Sequence, residues 1–579
     1  MERLAAERPR ARLDRVPTSL GLRSQLHASR RDPFAVRLPA GAEPWHWWRR
    51  VLQSVPNTAE RETSMNGAES LVRTLIAGGV NVCFTNPGTS EMHFVAALDK
   101  VPGMRCVLGL FEGVVTGAAD GYYRMLGRPA STLLHLGPGL ANGVANLHNA
   151  KKANSGIVNI VGEHATYHIA HDAPLTSDIE GVARPMSHWV KTSPNAGTIA
   201  KDGALAIEAA RQTPGQIATL ILPADTAWGA ADGIAETMPP TAPPKVSDDA
   251  VKAAAAMLRN SERATLLMGG DALRHSCLEL AGRIAAKTGC GILTEGANTR
   301  LERGAGRVQV ERIPYVVERA LGVMRAAGNL VLVGAREPVA FFAYPDQPSL
   351  LMPENARSTK LAGIEEDMQA ALEALAIELG AMSTAPAGIA APRRPALPTG
   401  AITPAAIASI LGAMLPEGAI VVDESVTTGR EFFPETAGAP PHDWINNRGG
   451  SIGYGMPVAV GAAIACPDRK VIALEGDGSA MYTLQSLWTM AREGLAITTL
   501  IFANGTYNIL RGELTNVGVR NPGPRAVDML SIGRPDLDWI SLARGMGVEA
   551  SRAKTCEQLV KGLGAGLRSQ GPYLIEVAL

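Results

Sequence analysis

From residue 65 onward, short continuous apolar runs alternate with longer stretches of helical period. The first group of runs is Val80–Thr85, Cys106–Leu110, Ser131–Leu136, Ile157–Val161 and Ala218–Leu222. A second comprises Ala264–Met268, Gly291–Leu293 and Leu330–Val333, and a third Ala419–Val422, Lys470–Leu474, Ile497–Phe502 and Tyr573–Val577. Runs of this length without polar alternation suit strands buried on both faces of a parallel sheet, with the intervening helices as crossovers. The pattern predicts an α/β chain of three doubly wound parallel-sheet domains. Pro/Ala-rich stretches at Met238–Pro244 and Ala385–Gly400 read as linkers and delimit blocks at 65–237, 246–382 and 400–579. Ligands of such sheets sit beyond the carboxyl ends of the strands, which is where candidate chemistry is sought.

Residues 1–64 break the pattern. They hold 12 Arg, no Lys and 7 acidic residues, with the cluster Trp45-His46-Trp47-Trp48-Arg49-Arg50, and no period persists. Such composition buries little core, so an unstructured leader is expected, either a tail or an extension upstream of a start at Met65. A targeting or docking arm is the competing reading. The whole chain of 579 residues balances 55 basic against 55 acidic residues, which argues against a nucleic acid or an anionic membrane as partner. Six scattered cysteines form no CxxC pair, and no apolar run reaches the roughly 18 residues of a membrane span. With no apolar N-terminal signal segment, a cytoplasmic location is expected.

Two strand ends in the third block carry oxygen ligands. Lys470–Leu474 runs into Glu475-Gly476-Asp477-Gly478-Ser479-Ala480, and Ile497–Phe502 into Ala503-Asn504-Gly505-Thr506-Tyr507. A helix over Leu484–Arg492 and one return strand fill the gap, so Asp477 and Asn504 fall on adjacent strand tips. A hard cation such as Mg²⁺ takes carboxylate, amide and carbonyl oxygens, with phosphate and water completing its shell. Asp477, Asn504 and the Thr506 carbonyl supply three such ligands. Either turn alone is commonplace; their pairing is the signal. It resembles the diphosphate-binding motif of thiamine-diphosphate enzymes, which implies that Gly476, Gly478, Ser479, Ala480 and Tyr507 border the cofactor.

The resemblance extends through residues 65–579. Gly449-Gly450-Ser451-Ile452-Gly453-Tyr454-Gly455 is similar to the segment that bends this cofactor, with Gly450 offering a carbonyl to the aminopyrimidine and Ile452 propping the V shape. Glu112, in Leu110-Phe111-Glu112-Gly113-Val114, resembles the family's activating glutamate, which holds the pyrimidine as the imino tautomer that takes the thiazolium C2 proton. Asn86-Pro87-Gly88-Thr89 and the loop from His135 match further cofactor and substrate loops. These likenesses imply a homodimer or homotetramer with a shared active site and 2-oxo acid substrates.

The branch resembled is that of acetolactate synthases and benzoylformate decarboxylases. His135 and Thr89 fall where the decarboxylase has an active-site histidine and serine. The decarboxylase's second histidine, in the central domain, has no counterpart in Pro338–Tyr344. Glu513 stands where the synthases carry a tryptophan, and Glu163 where a glutamine is usual, which predicts a larger, more polar pocket than two pyruvates need. The central block's Gly269-Gly270-Asp271 lacks a full GxGxxG, leaving FAD the less favoured expectation. The expected activity is decarboxylation or carboligation of 2-oxo acids. Simple decarboxylation to an aldehyde, a non-catalytic cofactor-binding or regulatory relative, and a nicotinamide enzyme read from Gly562-Leu563-Gly564-Ala565-Gly566 are the alternatives.

Overall fold

The computed structural model describes residues 65–579, so the expectations for residues 1–64 lie outside it. The first sheet holds β1 (Val82–Asn86), β2 (Arg105–Leu108), β3 (Ala130–Leu134), β4 (Ile157–Glu163), β5 (Trp189–Thr192) and β6 (Ile217–Pro223). All pair in parallel, in the order β2-β1-β3-β4-β6-β5. The central sheet is built from β7 (Ala264–Met268), β8 (Gly291–Thr294), β10 (Glu311–Arg312), β11 (Asn329–Val333) and β12 (Ser358–Ala362). The intervening β9 (Leu301–Arg303) leaves that sheet and runs antiparallel on the edge of the third.

The third sheet comprises β13 (Ile420–Glu424), β14 (His442–Asn446), β15 (Val471–Gly476), β16 (Ile497–Ala503), β17 (Glu549–Ala553) and β18 (Tyr573–Ala578), together with β9. Its other pairings are parallel. Both Pro/Ala-rich stretches run as irregular backbone. No helix among the described residues is long and apolar enough to cross a membrane.

Strand alternation decides where each face goes. In the first sheet Cys83, Leu133, Val158 and Leu220 enter one core. Their neighbours Phe84, Leu134, Ile157 and Ile221 enter another, which also takes Ile420, Val422, Val471 and Ala473 of the third sheet. The opposite face of the third sheet, with Val421, Ile472 and Leu474, is buried with Leu266, Met268, Val331 and Val333 of the central sheet. The third sheet thus lends one face to each neighbour.

Between the first and third sheets α1 (Glu112–Leu126) of the first domain packs on one side against α2 (Leu136–Lys152) of the same domain and on the other crosses α3 (Gly455–Ala465) of the third. Only glycine fits at the crossing: a Cβ on Gly121 would lie 2.1 Å from the Val458 carbonyl oxygen, and one on Gly461 1.9 Å from that of Ala118. The buried pair Arg124–Asp120 sits beside it, with Arg124 donating to the Asn446 carbonyl of β14 at 2.8 Å.

Apolar runs miss β14 because its sequence, His442-Asp443-Trp444-Ile445-Asn446, is largely polar although wholly buried. Asp443 accepts from Arg300 at 2.7 Å and pairs with Arg469, and Trp444 and Asn446 both donate to Asp423, while His442 Nε2 has no hydrogen-bond partner among the described residues. His442 Nδ1 lies 2.7 Å from the Pro440 carbonyl, and burial, then the charge of Arg303, pushes its pKa down to about 3.

Gly121→Ala or Gly461→Ala should lower stability by about 1–3 kcal/mol through overpacking, read as a reduced urea midpoint. His442 is held neutral in the fold, with a pKa below its unfolded value. Its contribution is therefore complete above pH 6.5 and lost as pH falls toward 3. Between pH 6.5 and 5 the loss should reach about 2 kcal/mol. Unfolding at both pH values should show that slope in the wild type and a shallower one in His442→Gln.

Candidate active site

Glu112 is the first residue of α1, and its side chain is buried. Asn142 of α2 donates to its Oε2 at 3.0 Å. A Cβ at Gly139 would lie 3.1 Å from Oε1, so the glycine keeps that oxygen open. Asn146 of α2 donates to the carbonyls of both Gly113 and Gly453, at 2.8 and 3.2 Å. One amide thus ties the glutamate's helix to the Gly449–Gly455 loop within the same chain.

That loop is braced on every side. Asn447 accepts from Gly450 N–H at 2.7 Å and donates to Ser451 O at 2.7 Å; Asn149 donates to Ser451 O at 2.8 Å. Glu424, at the end of β13, accepts from Gly453 N–H at 2.9 Å and Gly455 N–H at 2.8 Å. Gly450 and Gly453 have φ of +79° and +90°, which glycine alone adopts without strain. Held this way, Ile452 is presented to solvent rather than packed into the core. Beneath the loop Glu424 pairs in register with Glu475 of β15, and neither oxygen of Glu475 has a hydrogen-bond partner among the described residues. Burial pushes the pKa of both carboxyls up, with Glu424 adding to the rise at Glu475.

At the adjoining strand ends, Gly476 of β15 pairs with Phe502 of β16. Asp477 opens the short helix α4 (Asp477–Ala480); its Oδ1 accepts from Gly478 N–H at 2.8 Å and its Oδ2 from Gly505 N–H at 2.7 Å. The expected juxtaposition of the Asp477 and Asn504 turns is therefore present. Asn504 Oδ1 accepts from Thr506 N–H at 3.0 Å, and the Thr506 carbonyl from Asn508 N–H at 2.9 Å. The Tyr507 ring covers Gly478, where a Cβ would come within 2.4 Å. Ser479 and Ala480 are buried in α4. Burial raises the pKa of Asp477, and no Lys or Arg among the described residues pairs with it. A buried carboxylate without a cationic side chain, joined through the Gly505 N–H to the turn that carries an amide oxygen and a carbonyl, is a donor set that suits a hard divalent cation. The neighbouring loop holds Val426 at φ +49°, a strained backbone for a β-branched residue, and Thr427 next to Asn508.

A cavity of about 440 Å³ opens in the first domain, lined among others by Thr89, Ser90, His135, His164, Leu175 and Trp228. His135 Nδ1 lies 2.9 Å from Glu91 Oε2, and Gly88 N–H donates to the same oxygen at 2.7 Å. Ser90 Oγ donates to Oε1. Gly88 is obligatory, since a Cβ there would sit 2.2 Å from the His135 ring. Asn86 ends β1 beside Leu134, with Pro87 leading into this loop.

The expected acidic pocket residues do not line the cavity. Glu163 is buried at the end of β4, accepting from His164 N–H at 2.7 Å, and burial raises its pKa. Glu513, on the helix α5 (Asn508–Asn516), instead accepts from Tyr315 and Tyr344 of the central domain. Sequence reasoning left Glu91, Asn142 and Glu424 unassigned. For Glu424 the signal was available: an acid at the end of an apolar strand, as with Glu112.

Residues 65–182 match "Thiamine pyrophosphate enzyme, N-terminal TPP binding domain", and residues 434–577 match "Thiamine pyrophosphate enzyme, C-terminal TPP binding domain". The chain belongs to the thiamine pyrophosphate enzyme family. Within it, the chain falls in the acetolactate synthase and benzoylformate decarboxylase group. It is 52% identical to "Putative acetolactate synthase large subunit IlvX" of Mycobacterium tuberculosis, over 89% of this chain and 99% of that one. It is 30% identical to a benzoylformate decarboxylase of Pseudomonas aeruginosa, over 86% and 96%. The fold is that of the Rhodococcus jostii RHA1 4-hydroxybenzoylformate decarboxylase, with TM-score 0.78 at 24% identity over 89% and 99%.

Replacing Glu91 by Ala leaves the Gly88 N–H and Ser90 hydroxyl without their buried acceptor. The variant should lose about 3 kcal/mol of stability, measured by chemical denaturation.

Proposed function

We propose that the chain is a thiamine-diphosphate- and Mg²⁺-dependent 2-oxo acid decarboxylase/carboligase. The observation that carries this reading is the joint presence of a buried Glu112 with one open oxygen and the Asp477–Asn504 strand-end pair. Asp477, Asn504 and the Thr506 carbonyl would hold Mg²⁺ against the diphosphate, bordered by Gly476, Gly478, Ser479, Ala480 and Tyr507. Gly450 and Ile452 would seat the pyrimidine side, with Asn86, Pro87 and Gly88 at the opposing wall. When bound, thiamine diphosphate supplies a sink for the electron pair left by decarboxylation. Glu112 would take or give a proton at Oε1, toward the pyrimidine of the bound cofactor, while Asn142 holds Oε2. His135, with Nδ1 directed to Glu91, keeps Nε2 to hold the substrate carboxylate or deliver a proton, and Thr89 stands beside it.

Among the described residues no hydrogen bond joins the Glu112, Asn142 and His135 group to the Asp477 and Asn504 group. This supports completion of each site by a second copy, in a homodimer or homotetramer. The central domain is read without FAD: the Met368 sulfur would lie 2.4 Å from a Cβ on Gly334, filling the strand-end crevice beside Gly269 and Gly270. The cavity at His135, larger than a methyl ketone needs, favours as a second reading simple decarboxylation of a bulky 2-oxo acid to its aldehyde.

The test is a panel of 2-oxo acids with and without an aldehyde acceptor, followed by mass spectrometry. CO₂ release should require both thiamine diphosphate and Mg²⁺. Glu112→Gln should lower kcat at least about 100-fold. Asp477→Ala should weaken Mg²⁺-dependent cofactor binding by about 10–100-fold, read by calorimetry. Full activity in Glu112→Gln would remove the core of this reading.

A further inference from the structure

Outside the groups already assigned, one cluster links α5 and the Gly450 loop of the third domain to the central domain. Tyr344 donates its hydroxyl to Glu513 Oε2 at 2.7 Å, and Tyr315 donates to Oε1 at 3.1 Å. Each oxygen of one carboxylate therefore holds a different tyrosine of the central domain. The ring of Tyr315 lies 5.5 Å from that of Phe341, and Phe341 lies 4.9 Å edge-on from Phe342. Phe341 in turn stands over Gly450, where an added Cβ would come within 2.7 Å of its Cζ. Phe341 and Phe342 remain 54% exposed, so this contact, and not core burial, determines where Phe341 sits. Burial raises the pKa of both tyrosines; after it, Tyr344 and Glu513 raise that of Tyr315, and Glu513 raises that of Tyr344, which keeps them protonated donors.

Glu513 belongs to α5, which follows directly on the Asn504–Tyr507 turn and buries none of its own residues. Nothing in the helix's packing requires a carboxylate there. The two tyrosines give it a purpose: they connect the segment that leaves the metal-ligand turn to the loop that covers Gly450.

We propose that Glu513 is a latch that holds Phe341 over Gly450, and that this aromatic wall selects 2-oxo acids with a flat apolar group beside the ketone over those with a methyl. The inference rests on the 2-oxo acid reading above. In it, Glu513 is a positioning residue acting through Tyr315 and Tyr344, and Phe341 is the group that meets the substrate. An exposed apolar wall at the mouth of a site discriminates by the apolar surface it covers, typically by one to two orders of magnitude.

The experiment compares kcat/KM for phenylglyoxylate and pyruvate in the wild-type holoenzyme, Glu513→Ala, Glu513→Gln, Phe341→Ala and the double variant Glu513→Ala/Phe341→Ala. The wild type should favour phenylglyoxylate. Each alanine variant should lower that preference about tenfold. The double variant should lose no more than Phe341→Ala alone, because the latch acts only through the wall. Glu513→Gln keeps a carbonyl oxygen for one tyrosine and should retain an intermediate preference.

A second measurement needs no turnover. Amide hydrogen exchange across residues 338–352 should quicken in Glu513→Ala and not in Tyr-retaining Phe341→Ala. An unchanged preference in an active Glu513→Ala enzyme, or additive losses in the double variant, overturns the latch and leaves the 2-oxo acid reading intact. A wild type inactive on every 2-oxo acid removes that reading and the selectivity with it. Unchanged exchange in Glu513→Ala overturns the latch whatever the enzyme turns over.

Discussion

The joining of the first and third domains within one chain depends on two helices meeting without side chains between them. Gly121 of α1 lies against the Val458 backbone of α3, and Gly461 of α3 against that of Ala118. Because backbone touches backbone, the separation of the helices is fixed by van der Waals radii and not by the packing of flexible groups. Glu112 opens α1, and the Gly449–Gly455 loop opens α3. The crossing therefore sets the relation between an acid in the first domain and a loop in the third, and Asn146 fastens it with a single amide.

Buried polar groups then hold each part in one conformation. Glu424 is spent on two loop N–H groups and Glu91 on a glycine N–H, a serine and a histidine. Both are acids placed where water is absent, and each is satisfied by several donors, as buried carboxylates must be. Gly162 shows how closely Glu91 is enclosed, for a Cβ there would lie 1.7 Å from its Oε1. Glu475 is the exception: it lies beside Glu424 without a donor of its own.

Much of this was legible in the residues. Strands buried on both faces announce themselves as apolar runs, and β1, β3, β4, β6, β7, β11, β15, β16 and β18 lie where such runs fall. The turns carrying Asp477 and Asn504 follow from strand order alone. What escaped was whatever depends on partners distant in sequence. The strand β14 is polar, and its burial follows from Arg300 and Arg469. The edge strands β5 and β17 are half-exposed and lack a run. The antiparallel β9 crosses from the central stretch into the third sheet, which no local pattern announces. Glu163 and Glu513 were read as pocket charges from position alone. The structure turns one inward to a backbone N–H and the other to two tyrosines.

Three sheets in one chain suggest three interchangeable modules, but the cores contradict that. The third sheet buries one face with the first domain and the other with the central one. Cutting at either Pro-rich connector would expose an apolar face that the fragment has no means to cover. Change in such a chain must come through loops and strand ends, where the chemistry already lies. Exchanging whole domains is closed to it unless the replacement brings a matching face.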